Sequence, residues 1–276
     1  MDEVAEKYFC QIQDAIASDQ LVLPTLPEVA LKVREKIEGE DSNFDDIADM
    51  LAQDAALSAN FIRIANSPIY RGVEEIVDLR TVINRMGLKV VRDLVVSLAL
   101  KQIFMATSAA LDKQFRGAWA TSVGVASISR MLAVMARDLS AEQALLAGLI
   151  HNIGVLPVLV MLEKETAGFE DDAELQYILR QLQGPVGKLV LESWEFPEHL
   201  LDVAVECYNF QRQHDGDKDY VDVIQVSLIQ GGFVNLRSGE WRIQAFEKLN
   251  LDPDVNVVDI DENKEVVEQT KKSLMN

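Results

Sequence analysis

Residues 145–156 read LLAGLIHNIGVL. This stretch sets one ionisable side chain, His151, and one amide, Asn152, at the end of an otherwise apolar helix. Ser140-Ala-Glu-Gln143, just upstream, has the spacing of a capping box that opens a helix over Ala141–His151. Working outward, the same periodicity recurs. Val29, Val33 and Ile37 repeat at four-residue steps. Phe44, Ile47, Ala48 and Leu51 follow the i, i+3, i+4, i+7 pattern, as do Leu79, Val82, Ile83 and Met86, and Leu57, Phe61, Ile64 and Ala65 make a similar stripe. Asn43, Asp54 and Asp78 stand where N-caps belong, and Gly87 where a left-handed C-cap ends a helix. The segment VDVIQV (221–226) alternates, but it runs into SLIQGGF with helical spacing, so a helix is expected there. The adjacent Gly231 and Gly232 are expected to mark a kink or a close helix packing. No internal repeat is seen. The expectation is an all-α fold, a compact multi-helix globule of roughly a dozen short helices in two packed halves.

Composition narrows the class. The 276 residues carry 26 Lys plus Arg against 45 Asp plus Glu, a formal charge of −19. Such a surface repels phosphate backbones and anionic membranes, so neither nucleic acid nor membrane is an expected partner. A hydrophobic fraction of 49% is enough for a core, which excludes disorder of the whole chain. Cys10 and Cys207 make neither a disulfide framework nor a CxxC metal knuckle. The beginning, MDEVAEKYFC, is acidic where a signal peptide is basic. Leu88–Met105, taken as the longest apolar stretch, carries Lys89, Arg92, Asp93 and Lys101, which argues against a membrane span. A cytoplasmic protein is expected. Three zones follow: an acidic leading helix over 1–20, a globular part over 21–240, and a C-terminal helix and acidic tail over 241–276. From Leu251 onward a mobile tail or a loosely docked helix is expected. The globular part divides near 108–113 into halves of about 21–110 and 111–240.

Few segments suit chemistry. The prolines of Leu23-Pro-Thr-Leu-Pro-Glu-Val29 hold an extended approach, and Pro27 suits a first helical turn. Asn66 and Pro68 read as a helix stop, with Asn66 able to turn left-handed. Arg63, Lys89 and Arg92 could make a small basic patch, but scattered cations are more often solvated or paired with neighbouring acids. His151 has only His199 and His214 as imidazole companions, and neither is placed like a partner in metal binding. It is expected to be a hydrogen-bonded structural histidine. Cys207 has no basic neighbour to activate it and reads as a core residue. The chain has no GxSxG elbow and no GxxxxGK[ST] loop. With 45 carboxylates, chance pairs are too common to nominate an acid and a base.

Four further segments carry a resemblance. LPTLPEVALKV (23–33), IADMLAQDAALSANFIRIANSPIY (47–70), LRTVINRMGLKVVRDLVVSLAL (79–100) and LLAGLIHNIGVL (145–156), together with WEFPEHLLDVAVECYN (194–209), resemble the HDOD family. That name denotes the HD-related output domain of bacterial signalling proteins, a degenerate relative of HD-superfamily phosphohydrolases. The resemblance spans about residues 20–235 and implies an HD-like helical core. In catalytic HD proteins a metal-binding His follows a Trp by two; here Trp119 is followed by Thr121. Their His-Asp doublet falls on His151-Asn152, so the carboxylate is lost. Where some relatives have a His pair, this chain has Cys207-Tyr208. The last metal Asp would fall in 223–230, which contains no acid. The resemblance therefore implies the fold without the chemistry: no catalytic residue, no metal and no cofactor are expected.

The resemblance implies a noncatalytic output or adaptor module that works through protein contacts. Nothing outside 20–240 leaves room for a fused receiver or kinase, so a sensing partner is expected to be a separate chain or to act on this domain directly. The alternatives are a small-ligand or nucleotide sensor with a pocket between the halves, and a residual metal-dependent phosphohydrolase using His151. Tyr70, Arg71 and Trp241 are the candidate interaction residues, because aromatics and Arg are enriched at interfaces.

Overall fold

The fold was obtained as a computed structural model that describes residues 2–39, 43–70, 72, 75–105, 111–165, 172–234 and 243–275. Among these residues every regular element is a helix. In chain order they are α1 (Glu3–Ala17), α2 (Glu28–Glu38), α3 (Phe44–Ala52), α4 (Ala55–Ala65), α5 (Leu79–Met86), α6 (Leu88–Met105) and α7 (Asp112–Ala136). There follow α8 (Ala141–Ile150), α9 (Val155–Glu165), α10 (Asp172–Ser193), α11 (Glu198–Glu206), α12 (Tyr220–Gln230), α13 (Gln244–Lys248) and α14 (Asp261–Met275).

Helix starts follow local chemistry. Asn43, Asp54 and Asp78 each accept from backbone N–H groups of the first turn, and Gly87 ends α5 at φ 81°. At Ser140 only half of the expected box forms. Its Oγ accepts from Gln143 N, while the Gln143 side chain is engaged by Tyr220 OH at 2.8 Å. A complete reciprocal box opens α12 instead, between Asp219 and Asp222. Asn66 is right-handed (φ −90°), not left-handed, because its amide is tied across the loop: Nδ2 donates to Ile76 O at 2.6 Å and Oδ1 accepts from Ile76 N at 2.8 Å. Gly231 caps α12 and Gly232 takes φ 70°, so the pair terminates a helix rather than kinking one.

α7 and α8 form the central antiparallel pair. α6 packs on both, and α2 to α5 gather around α6. α10 receives α9 and α11 and also α1, so the leading helix docks on the second half of the chain. One apolar core runs through both groups, from Ala5 to Leu274. A smaller core lies between the C-terminal part of α7, α12, α13 and α14. The segment from Leu251, expected as a mobile tail or a loosely docked helix, contains a docked helix: α14 lies along α7 and buries Val267, Thr270 and Leu274. The sequence reading misjudged the longest apolar stretches. Among the described residues these are Asp112–Ala136 and Ala141–Glu163, and both qualify as spans by length and composition. In the fold they are interior helices, with 72% and 94% of their apolar windows buried in protein.

Two glycines of the LLAGLIHNIGVL stretch explain how that segment enters the centre. A Cβ on Gly148 would lie 2.3 Å from the Ala126 backbone, at the α7–α8 crossing. One on Gly154 would lie 2.1 Å from Gln183 O in α10. Both contacts allow only hydrogen at Cα.

Candidate functional site

The corner between α8 and α9 gathers most of the HD positions. His151 caps α8 and is fully buried. Its Nδ1 lies 2.7 Å from Gly148 O; a carbonyl can only accept, so Nδ1 carries the proton. The bond satisfies one of the last carbonyls of α8, which has no partner within its own helix. Nε2 is then a bare acceptor, buried without a hydrogen-bond partner. Burial pushes the imidazole pKa down to about 4. Asn152, 4% exposed, accepts from Ser122 Oγ at 2.6 Å and donates to Ala118 O at 3.3 Å. Cys207 Sγ donates weakly toward His151 O at 3.9 Å. The Tyr208 ring centroid stands 6.1 Å from that of His151. Burial holds both the Cys207 thiol and the Tyr208 phenol in the protonated form by raising their pKa values.

The structure thus brings His151, Asn152, Cys207 and Tyr208 together, but it turns Thr121 aside. Thr121 is half-buried, and the α7 side chain that meets the doublet is Ser122, one residue on. Counting two from Trp119 missed it, because the face of α7 that looks toward Asn152 is set by the α7–α8 crossing.

Catalytic HD proteins hold a metal at the corresponding corner, and the residues present here do not fit one. The single imidazole offers one nitrogen, Nε2, the amide oxygen of Asn152 already accepts from Ser122, and the thiol and phenol keep their protons. No carboxylate belongs to the set, and a hard cation with one neutral nitrogen is poorly held.

The other imidazoles lie elsewhere. His214 Nε2 is 3.2 Å from Asp222 Oδ2, and Asp219 completes a cluster whose ligand atoms lie within 4.8 Å of one another. That cluster already contains its cation: Arg212 reaches Asp219 Oδ2 at 2.5 Å and Asp222 Oδ1 at 3.4 Å. His199 stands against Tyr220, and with Lys89 and Arg92 it borders a cavity between α2, α6, α8 and α11. Of the cations weighed as a patch or as paired side chains, Lys89 and Arg92 share one wall through helical spacing on α6, and Arg92 is paired with Asp93 and Glu38.

The interaction candidates fare differently. Tyr70 is not a free surface aromatic. Its hydroxyl accepts from Arg130 Nε and donates to Glu142 Oε1, both at 3.2 Å, and Arg130 lies over its ring at 4.8 Å from the centroid. Burial pushes its pKa up to about 12. It pins the 66–78 loop to α7 and α8. Arg71 and Trp241 lie outside the described residues, as do 108–110 of the expected boundary.

Comparison with known proteins agrees with this architecture. The HDOD domain family matches residues 23–210. A crystal structure from Shewanella amazonensis, of a protein whose name proposes a metal-dependent phosphohydrolase, superposes with a TM-score of 0.82 at 28% identity. The superposition covers 98% of this chain and 99% of that one. An HDOD domain protein from Geobacter sulfurreducens superposes with a TM-score of 0.70 at 20% identity, covering 98% and 99% of the two chains. At that identity the likeness is one of fold. An uncharacterized Treponema pallidum protein is 24% identical over 137 residues, which is 48% of this chain and only 25% of that relative's length. The matched region takes in α2 to α11 and the whole His151 corner, and the chain belongs to the HDOD domain family.

Proposed function

We propose that this domain is a noncatalytic output or adaptor module of a cytoplasmic signalling pathway and works through protein contacts. The chemistry of the His151 corner carries this reading. Of the positions that would hold a metal in an HD phosphohydrolase, His151 is tied through Nδ1 to Gly148 O, Asn152 is an amide engaged by Ser122, and burial keeps the Cys207 thiol protonated. A corner of this kind cements α7, α8 and α11 together; beyond the one neutral nitrogen of His151, its pKa lowered by burial, it offers no nucleophile and no charge for a phosphoester. The −19 charge supports a basic protein partner, met quickly and released by salt. Nucleic acid and membrane remain disfavoured on the same ground.

The competing reading takes its cue from the name of the Shewanella relative and from the free Nε2 of His151. It requires metal-dependent phosphohydrolysis. The purified chain, assayed with phosphomonoesters, phosphodiesters and nucleotides in the presence of Mn²⁺, Fe²⁺ or Zn²⁺, is expected to give no turnover. Metal-dependent turnover that disappears in a folded His151→Asn variant would overturn the proposal.

A further inference from the structure

The cavity beside His199 has a volume of about 530 Å³. Its polar wall is a row of charges that mostly satisfy one another. Asp93, 2% exposed, accepts through Oδ1 from Arg92 Nε and Nη2, both at 2.8 Å. Arg92 Nη1 lies 3.6 Å from Glu38 Oε1, and Glu38 Oε2 lies 3.7 Å from Arg34 Nε. Arg34 in turn donates to Trp194 O at 2.5 Å, with its guanidinium 5.3 Å from the Phe196 ring centroid.

Two charges are left over. Asp93 Oδ2 is buried without a hydrogen-bond partner. The Lys89 ammonium makes no ion pair among the described residues, although Lys89 also lines the cavity. The two residues are i and i+4 on α6, hence on one face, with Cβ atoms about 6 Å apart. Such a pair ordinarily closes on itself. Here Arg92 holds Asp93 by its other oxygen, so an unpartnered carboxylate oxygen and an ammonium without a close ion pair belong to two neighbouring residues that both line the cavity. An unsatisfied buried carboxylate oxygen is costly unless something donates to it.

Charge balance narrows the occupant. Three cations line the cavity, Arg34, Lys89 and Arg92, against the three carboxylates of Glu38, Asp93 and Glu195. Burial lowers the pKa of His199, so it adds no charge near neutrality. A polyanion finds no net positive field there, in a protein that is itself strongly acidic. The floor is apolar, with Val96 and Leu146 buried beside Phe196.

We infer that this cavity binds a small zwitterion of the α-amino acid class. The ligand's ammonium donates to Asp93 Oδ2, its carboxylate accepts from Lys89 Nζ, and its side chain lies on Val96, Leu146 and Phe196. Adjacent opposite charges on one ligand match adjacent opposite sites one helical turn apart. α2 and α6 come from the first half of the chain and α8 and α11 from the second, so the occupant touches both halves. The inference stands independently of the reading of the His151 corner.

Thermal unfolding of the full chain and titration calorimetry test it, with the common α-amino acids, nucleoside monophosphates and sugar phosphates as probes. At about 10 mM an apolar amino acid is expected to raise Tm, as a ligand that binds only the native state does. The matching α-hydroxy acid, which lacks the ammonium, and the matching amine, which lacks the carboxylate, are expected not to. Lys89→Met and Asp93→Asn are each expected to weaken binding by about tenfold or more, which corresponds to loss of one charged contact. Lys89 is exposed, so its variant folds and decides the matter even if Asp93→Asn does not. The inference is overturned if no amino acid shifts Tm, if only a nucleotide or sugar phosphate does, or if Lys89→Met binds as the wild type.

Discussion

His151 is neutral in the fold because full burial outweighs the opposing pull of the Gly148 carbonyl and leaves its pKa at about 4. In the unfolded chain the ring titrates near 6.5. Between these values the unfolded chain binds a proton that the folded chain refuses, so stability falls as pH drops from about 6.5 to about 4. At about 1.4 kcal/mol per unit, this contribution is on the order of 3 kcal/mol. Urea titrations across that range should show His151→Asn losing less stability with acid than the wild type; parallel curves would place the acid sensitivity elsewhere. Asn152→Asp would restore the HD doublet on paper. In this corner the new carboxylate would face the Ala118 carbonyl, to which Asn152 now donates. A loss of about 3 kcal/mol at pH 7, diminishing as the acid protonates, is the expected outcome of denaturation at pH 7 and pH 5. That His151 makes a hydrogen bond inside the fold was legible in the sequence, because it ends an otherwise apolar helix. That Ser122 rather than Thr121 meets the doublet was not, because the rotation of α7 is set by packing against α8.

At the scale of elements, local signals were read well wherever the chain makes the decision locally. Asp78 accepts from both the backbone and the hydroxyl of Thr81 and starts α5. Asp78→Ala is expected to cost about 1 kcal/mol in equilibrium unfolding, the usual worth of an N-cap. Ser140 shows where such reading stops. Tyr220, eighty residues downstream, takes both the Ser140 N–H and the Gln143 side chain, and so competes with the capping box. α14 is a segment whose composition left tail and docked helix both open. Val267, Thr270 and Leu274 fall on one face and cover α7. Val267→Ala is expected to lower stability by about 2 kcal/mol, the lost methyls plus the cavity they leave. Slow hydrogen exchange of α14 amides, comparable with that of α7, would accompany it; rapid exchange would mean that the helix is undocked in solution.

At the scale of the molecule, charge and cavity set the predictions. An excess of 45 acids over 26 bases makes partner capture salt-sensitive. If the module acts on a basic protein, capture is expected to fall at least about tenfold between roughly 50 mM and 500 mM salt, as screening shortens the reach of exposed charges. Salt-independent capture would point to an apolar contact instead. The amino acid cavity links α2 and α6 to α8 and α11, so its occupant would stabilise both halves together.

The chain by itself determined that the fold is helical, where most helices start and stop, and that an amide, Asn152, stands beside His151 where the HD doublet has an acid. These depend on periodicity, on caps within four residues, and on residue types at one doublet. Only the tertiary structure decided which side of α7 faces Asn152, that Tyr70 is tied to Arg130 and Glu142 rather than presented to a partner, and that the C-terminal helix is packed. It alone brought Lys89 and Asp93 to a shared cavity with Phe196 and His199. The reason is physical: the rotation of a helix about its axis, and the partner that reaches a side chain across the fold, follow from packing between segments far apart in sequence.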